Sequence, residues 1–529
     1  VGAAAAAATG GATSTSTPHD CSTPAVPPAP LRRLTREQYA NGIKSLLGVD
    51  VATSALAADQ RAGVFASNFS AAIDDLGVEQ YLSMAETVAG QVGSDWTKID
   101  ACAAKADGAC ATTLIEKLGR RLYRRPLSAA EAARYQALYD RYGASAAGGF
   151  ANGMRVVLQG MLQSPSFLYL VEPAAPAGAA QRPLTSFELA TRLAAFVWNS
   201  TPDEALLDAA AADSLQNDAE LKTRVQSMLA DPRASATIRT FHRQWLGLEA
   251  VDALAKDPAL FPDFSAEQRD AMLDETLTFA DYVFRSADGK LSTLLSAPYS
   301  FPKPALFSIY GLPAGTVSDG VTPVMLDPAE RAGVLTQPAF LAVNAHAKVS
   351  APIKRGNVVL KNVLCLTTPS PPAGVKTELP DAMIPTTQRE QVRQHETNPA
   401  CVGCHHGMDG IGLGFEGYDA VGAFRTQDAG MAVDATGEIY GTTTIDGPFN
   451  GAVELAQKLG KSEEARGCVA QQWYRYAVGR PDAGADDCAL QALRTDFNSS
   501  GGDLRALIVG IATSPGFRSW AASNPEVTP

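Results

Sequence analysis

The stretch LTREQYANGIKSLLG, Leu34 to Gly48, carries a complete signal for an α-helix. Thr35 precedes Gln38 by three residues, which is the spacing of a capping box: the hydroxyl accepts a backbone N–H of the first turn, and the longer side chain returns a hydrogen bond to the cap. Apolar residues then recur at helical spacing until Gly48 ends the pattern. The same signal occurs at Ser128 with Glu131, Thr185 with Glu188, and Ser265 with Gln268. These repeats predict a mainly α protein.

The length of 529 residues exceeds what one hydrophobic core usually organises, and 46% hydrophobic residues is a normal content for a globular chain. We therefore predict a multi-domain protein of helical bundles with one loop-rich module and a small β-hairpin in GEIYGTTTIDGPFNG, Gly437 to Gly451. The predicted units are an Ala/Gly/Ser/Thr/Pro stalk over 1–30, helical modules over 31–100, 101–180 and 181–315, the loop-rich module over 316–430, and the hairpin with a last helical module over 431–529.

The net charge of −12, from 44 Lys and Arg against 56 Asp and Glu, comes without a long basic run, which disfavours a nucleic-acid-binding groove. No run of about 18 strongly apolar residues occurs, so the sequence predicts no transmembrane span. The chain begins VGAAAAAATGGATSTSTP, without an initiator Met or a basic leader. We therefore expect a mature form whose signal peptide has been removed, with a disordered N-terminal stalk.

Eight cysteines occur, and two of them, Cys401 and Cys404, form a CVGC pair. The other six allow fifteen pairings, among which the sequence alone does not choose. Short loops favour two disulfides and elimination gives the third: Cys102–Cys110, Cys468–Cys488 and Cys21–Cys365. Such pairing fits an oxidising compartment, because thiols in the cytosol stay reduced.

The stretch CVGCH, Cys401 to His405, admits three chemistries. Structural zinc needs four ligands, and no second CxxC follows at a workable spacing. A redox-active dithiol follows a strand and opens a helix, whereas the flanks here, NPA and HHGMDGIGLG, are rich in Pro and Gly. In c-type haem attachment, Cys401 and Cys404 form thioethers with the vinyl groups, and the adjacent His405 coordinates iron. The spacing favours this third interpretation, one covalent haem c.

The sixth iron ligand is open at this point. His406 and Met408 are too close in sequence to His405 to reach the opposite haem face. The candidates farther away are His346, Met383, His395 and Met431. Of these, His346 lies in the polar, loop-like stretch NAHAKVSAPIKRG, where a histidine does not simply fill a core.

Three other polar residues on predicted helices have ordinary structural explanations. His242, in FHRQWLGLEA, is predicted to be packed or hydrogen-bonded. Asp274 and Glu275 lie at the start of a predicted helix that ends at Phe284, and solvation is the expected state of a helical carboxylate.

Five stretches form a series along the chain: RRLTREQYANGIKSLLG; RRLYRRPLSAAEAARYQALY; RPLTSFELATRLAAFVWNSTPDEALLDAA; RAGVLTQPAFLAVNAHAKVSAPIKRGNVVLKNVLC with HETNPACVGCHHGMDGIGLGFEGYDAVGAFR; and CVAQQWYRYAVGRPDAGADDCALQAL with ALIVGIATSPGFR. In this order they resemble the modules of large secreted cytochrome-like proteins of planctomycetes and myxobacteria, which consist of five consecutive domains of unknown function. The resemblance extends from Leu31 to Trp520.

This resemblance implies a predominantly helical, periplasmic or extracellular protein with one c-type haem in the fourth module. In that family a histidine shortly precedes a Ser-Pro-x-x-Arg-Gly stretch. His346 matches it and is thereby implied as the sixth ligand, although Ala351 intrudes between Ser350 and Pro352. His395, a few residues before CVGCH, is implied at the haem edge or at a propionate.

The resemblance also covers the residues after the haem motif. The family has an acidic, aromatic turn there, matched by Glu416, Tyr418 and Asp419. It usually carries Asp-Pro after the motif, whereas this chain has Asp409 followed by Gly410, which is expected to loosen that turn.

Family resemblance supplies no reaction, so function rests on the residues. A six-coordinate haem held by His405 and a second side chain cycles iron without binding substrate, which predicts electron transfer with a redox partner protein or a small electron donor or acceptor. The alternatives are a peroxidase- or oxygenase-like haem enzyme, with His346 and Arg355 above an open sixth position, and an envelope binding module with an accessory haem. We predict an extracytoplasmic monohaem c-type cytochrome-like protein acting in electron transfer.

Overall fold

The computed structural model describes residues 21, 27, 31–69, 72–144, 148–172, 181–367, 386–396 and 399–521, without the side chains of 394–396, 399–401 and 404. The predicted stalk over 1–30 therefore lies outside the described residues apart from 21 and 27, as does Met383. The described part is mainly α, as the sequence predicts, and its sheets have two strands each.

The helices follow one another along the whole described chain, and none of them is both long and apolar enough to cross a membrane. A π-helix, Val359–Val363, directly continues α15. The α-helices are α1 (Arg36–Leu47), α2 (Asp75–Val92), α3 (Gly108–Leu122), α4 (Ala129–Tyr142), α5 (Gly149–Leu162), α6 (Pro165–Leu168), α7 (Ser186–Val197), α8 (Glu204–Ala211), α9 (Asp218–Ala230), α10 (Ala234–Trp245), α11 (Ala266–Arg285), α12 (Leu291–Ser296), α13 (Phe307–Tyr310), α14 (Pro338–Val343), α15 (Pro352–Val358), α16 (Gln388–Glu396), α17 (Pro399–Gly412), α18 (Gly451–Lys461), α19 (Glu463–Val478), α20 (Asp487–Ser499), α21 (Leu504–Thr513) and α22 (Pro515–Arg518).

The strands are short and all pair antiparallel. They are β1 (Arg32–Arg33) with β4 (Tyr169–Leu170), β2 (Arg61–Ala62) with β3 (Phe65–Ala66), β5 (Gln181–Pro183) with β12 (Ser519–Ala521), β6 (Tyr299–Ser300) with β7 (Val324–Met325), β8 (Gln427–Asp428) with β9 (Met431–Ala432), and β10 (Thr436–Ile439) with β11 (Gly447–Asn450). The last pair is the predicted hairpin, with Ile439 opposite Gly447.

Three of the four predicted capping boxes are complete, at the starts of α1, α4 and α7. At α11 the box is only half formed. Ser265 accepts the N–H of Gln268 at 3.3 Å, but the Gln268 side chain donates to the Ala305 carbonyl at 3.1 Å instead of returning to the cap. A tertiary contact here displaces a local one.

The helices pack around two hydrophobic cores. One core joins α1 to α5 and consists of residues 34–170 together with Ala195 of α7. The other extends over residues 184–517, joins the third, fourth and fifth predicted modules, and also includes Phe65 of the first. Within it Phe241 and Trp473 stack with ring centroids 3.6 Å apart, and Trp245 Nε1 donates to the Asn362 carbonyl at 2.7 Å. The loop-rich module is therefore packed against helices that precede and follow it in sequence.

The disulfide prediction is confirmed for Cys102–Cys110 and wrong for the other two pairs. The observed pairs are Cys21–Cys488 and Cys365–Cys468, in place of the expected Cys468–Cys488 and Cys21–Cys365. The π-helix packs on α19, which brings the Cα of Cys365 within 5.3 Å of that of Cys468, 103 residues away in sequence. Loop length is no guide to pairing when helices from distant modules share a core.

Candidate haem-binding site

The CVGCH motif lies in the first half of α17. Pro399 occupies the first turn, where a missing N–H costs no helical hydrogen bond. Cys401, Cys404 and His405 hold positions i, i+3 and i+4, which share one face of a helix. The Pro- and Gly-rich flanks thus form helix, not loop. The preceding described element is α16, whereas a thioredoxin-like dithiol follows a strand.

Two glycines let α15 and α17 cross at close range. A Cβ atom on Gly356 would overlap the Met408 carbonyl, and one on Gly412 would overlap the Pro352 carbonyl. The start of α15 thus lies beside the end of α17, and the helices run antiparallel. This crossing fixes the helix that carries CVGCH against the rest of the fourth module.

The other face of α17 packs on β10. A Cβ atom on Gly410 would lie 2.6 Å from the Glu438 carbonyl oxygen, so helix and strand backbones touch there. The His406 ring lies over the Tyr440 ring with centroids 3.9 Å apart. Gly410 is therefore a close-packed position within a helix, and the loosening expected after Asp409 does not occur.

Asp409 holds the His405 ring from one turn farther along α17. Both carboxylate oxygens lie 3.2 Å from His405 Nδ1, and the Asp409 side chain is fully buried. The hydrogen bond with Asp409 raises the pKa of His405, because it favours the protonated ring, while burial acts in the opposite direction. Carboxylates commonly orient metal-binding histidines through one ring nitrogen while the metal takes the other. The geometry fits coordination of iron by His405 Nε2.

The described disulfides fit the same assignment, because they use the six cysteines outside CVGCH. Among the side chains that the structure describes, no group of three His, Cys, Asp or Glu is placed to hold a metal ion. The side chains of Cys401 and Cys404 lie outside that set. Two thiols and one histidine at i, i+3 and i+4 suit a haem attached to one helix, with His405 already oriented for it.

His346 lies in an exposed turn before α15. Its N–H donates to the Val349 carbonyl at 3.0 Å, and its own carbonyl accepts from the buried Lys256 Nζ at 3.0 Å. This turn precedes the end of α15 that lies beside Gly412, about two helical turns from His405. No described contact joins His346 to His405.

Replacement of His346 by Ala is expected to change the haem-loaded protein from a low-spin to a high-spin spectrum, because it removes the sixth ligand that the family resemblance implies. The spectra of the oxidised and reduced variant check this. An unchanged low-spin spectrum would instead exclude His346 as the sixth ligand. Of the other candidates, Met431 is exposed on β9, whereas Met383 and the side chain of His395 lie outside the described residues.

Arg355 clamps the turn that follows α17. Its buried guanidinium donates from Nη1 to the Phe415 and Tyr418 carbonyls at 2.9 and 3.0 Å. From Nη2 it donates to the Leu341 and Asp419 carbonyls at 3.1 and 2.6 Å. Because the guanidinium is committed to four backbone carbonyls, Arg355 is not placed to stabilise charge on a substrate, which the enzyme alternative requires of it.

The acidic, aromatic turn after CVGCH is held together by its own side chains. Glu416 is buried, which raises its pKa, and it accepts from Ser350 Oγ and Arg425 Nη2 at 3.0 Å each. Asp419 caps two backbone N–H groups, and the Tyr418 hydroxyl donates to a backbone carbonyl. These contacts hold in place the turn that follows α17.

The solvation predicted for Glu275 is wrong. Glu275 is fully buried, and its Oε1 accepts from the Ser300 and Tyr310 hydroxyls at 2.7 Å each. Burial raises the pKa of Glu275 to about 7. A signal was present in the sequence, since Glu275 lies three residues after Met272 and four before Phe279, on one apolar helix face.

Two other expectations about polar residues agree with the structure. Asp274, next to Glu275, is partly exposed and pairs with Arg239 and Lys303 at 2.7 and 2.9 Å. His242 is buried, and its Nδ1 lies 2.7 Å from the Ile238 carbonyl. The role of Asp409 was missed, although its spacing of four residues from His405 was a usable signal.

Five family models match successive parts of the chain, and each bears the description "Protein of unknown function". In chain order they are DUF1587 at residues 32–93, DUF1595 at 110–172, DUF1592 at 184–312, DUF1588 at 331–428 and DUF1585 at 446–517. The DUF1588 match, labelled PSCyt3, contains CVGCH and Asp409. No curated protein and no solved structure matches the chain. The chain is thus built from these five consecutive domains of unknown function, of which the DUF1588 and DUF1585 types are associated with cytochrome-like proteins.

Proposed function

We propose that the protein is an extracytoplasmic monohaem c-type cytochrome-like protein that acts in electron transfer. One observation carries the proposal: CVGCH lies in one helix whose histidine is already held at Nδ1 by the buried Asp409 carboxylate. The other six cysteines are paired with one another, which leaves Cys401 and Cys404 for thioether bonds. Three disulfides and c-type attachment both belong outside the cytoplasm.

In this proposal Cys401 and Cys404 would hold the porphyrin through thioether bonds, and His405 would supply an iron ligand from Nε2. Bound haem supplies a one-electron iron couple. The chain supplies the positioning, because Asp409 fixes the ring of His405 and the close α15–α17 crossing fixes the helix. Arg355 then holds the turn at the end of that helix.

Electron transfer is favoured over catalysis by the surroundings of the motif. The enzyme alternative relied on His346 and Arg355 as polar groups above the iron. Arg355 is buried and bonded to carbonyls, so it is not available as the charge-stabilising residue of that alternative. The partner is therefore a redox protein or a small electron donor or acceptor.

The test is a visible spectrum and a pyridine haemochrome assay of protein matured with c-type haem machinery. We expect one covalent haem per wild-type chain and none in the Cys401→Ser/Cys404→Ser variant. The matched control, Cys102→Ser/Cys110→Ser, removes a local disulfide and should keep the haem. Wild-type protein without haem overturns the proposal. A low-spin spectrum indifferent to CO supports electron transfer, whereas ready CO binding favours the enzyme.

A further inference from the structure

Asp409 is a buried carboxylate with an unusual hydrogen-bond environment. Its side chain is fully buried, and His405 Nδ1 is its one hydrogen-bond donor among the residues that the structure describes. An isolated buried carboxylate is strongly disfavoured, so its pairing with His405 is energetically important to both groups. The pair therefore differs from the solvated i, i+4 pairs of helix surfaces.

A second buried carboxylate in the same chain provides a contrast. Asp486 is also fully buried, but Arg480 donates to both of its oxygens, at 2.7 and 3.0 Å, and the Tyr474 hydroxyl donates at 2.6 Å. The charge of Asp486 is thereby neutralised by a permanent cation. Within the described residues Asp409 has no Arg or Lys partner, so its negative charge acts on the His405 ring.

We propose that Asp409 is a positioning residue that orients His405 and lowers the reduction potential of the haem iron. This inference rests on the proposed haem function. Two effects act in the same direction. A carboxylate that accepts from Nδ1 makes the imidazole a more basic ligand, which favours ferric iron. A buried negative charge beside the ring of the ligand His405 would also favour the oxidised state, which carries one more positive charge.

The redox step is a simple exchange with the partner. One electron from a donor would convert ferric to ferrous iron, and transfer of that electron to an acceptor would restore the ferric state. Because Asp409 favours the ferric side of this couple, it promotes loss of the electron from the reduced protein. The residue would thus make the reduced protein a stronger electron donor.

The experiment is redox potentiometry of the haem-loaded Asp409→Asn variant against wild type, followed by visible absorption. Asn keeps the shape and one acceptor oxygen but removes the charge. At a fixed ambient potential we expect the ratio of reduced to oxidised haem to rise at least tenfold, which is about 59 mV for one electron. Haem stoichiometry and thermal unfolding of both proteins are measured alongside.

Asp274→Asn is the control, since it removes one partly exposed carboxylate on α11 and touches neither His405 nor the turn after α17. Its potential should equal that of wild type. Haem-loaded Asp409→Asn with an unchanged potential overturns the inference and leaves the haem function intact. Wild-type protein without haem overturns the haem function itself.

A further variant provides a test in case Asp409→Asn binds too little haem for potentiometry. Asp409→Glu keeps the negative charge and should keep a potential close to that of wild type. A tenfold rise in the reduced fraction of this variant would contradict the role of charge. Loss of haem from both variants would make Asp409 a folding residue and also overturn the proposal.

Discussion

As pH rises from 4.5 to 7, the unfolding free energy of the Glu275→Gln variant is expected to increase by about 3 kcal/mol relative to that of wild type, because the wild type loses stability. Burial raises the pKa of Glu275 from 4.5 to about 7 in the folded protein. Over this range the folded state holds a proton that the unfolded state has lost, so the wild type loses stability as pH rises. Each unit of pKa difference corresponds to about 1.36 kcal/mol.

The structural cause is burial, which outweighs the two hydroxyl hydrogen bonds and the charge of Arg331. Oε1 of Glu275 accepts from two hydroxyl groups, while Oε2 has no hydrogen-bond partner among the described residues. Ser300 belongs to the third module and is itself bonded by Gln337 of the fourth at 2.9 Å. The ionised carboxylate would therefore be stranded where these two modules meet, whereas glutamine stays neutral at every pH.

Urea unfolding followed by circular dichroism at several pH values measures this difference directly. Other groups also titrate, but they cancel when the variant is compared with wild type. Asp274→Asn is the control, because Asp274 is partly exposed and paired with two cations, and its difference from wild type should not follow the same curve. A Glu275→Gln difference independent of pH would contradict the prediction.

Replacement of Gly356 by Ala is expected to destabilise the protein by at least about 3 kcal/mol, near or above the upper end for overpacked cores. The added Cβ would meet the Met408 carbonyl, which is backbone and has no rotamer by which to move away. The α15–α17 crossing must open, and haem loading should fall with it.

The same substitution at Gly407, on another face of α17, gives the control. A Cβ on Gly407 would meet only the Leu360 methyl groups, at 3.8 and 4.0 Å, which is ordinary contact. Gly407→Ala should therefore stabilise α17 by up to about 1 kcal/mol, because Ala is the better helix former. Urea unfolding of the two variants should give shifts of opposite sign. Equal shifts would show that the crossing is not tight.

The sequence predicts features whose cause is local. The caps of α1, α4 and α7, the hairpin at 437–451 and the Cys102–Cys110 disulfide each depend on residues a few positions apart. Gln268 shows the limit of local reasoning, because its side chain finds a tertiary acceptor instead of its cap.

The failures arise where distant segments meet. The fully buried state of Glu275 depends on Ser300 and Tyr310, which pack over it from later segments. The glycines around CVGCH predict a loop, whereas this segment forms the helix α17. Gly410 and Gly412 allow the backbone of α17 to approach those of β10 and α15 closely. For the candidate site, CVGCH was visible in the sequence, but the burial of Asp409 required the fold.

The two long-range disulfides have a consequence for the order of biosynthesis. Each has one cysteine before CVGCH and its partner after it: Cys21 and Cys365 precede the motif, whereas Cys488 and Cys468 follow. Chains emerge from the N-terminus, so the CVGCH thiols appear while both early cysteines still await their partners. In that interval thiol–disulfide exchange can join a CVGCH thiol to one of these early cysteines. If the proposed haem is attached, its attachment must therefore precede oxidation of the CVGCH thiols.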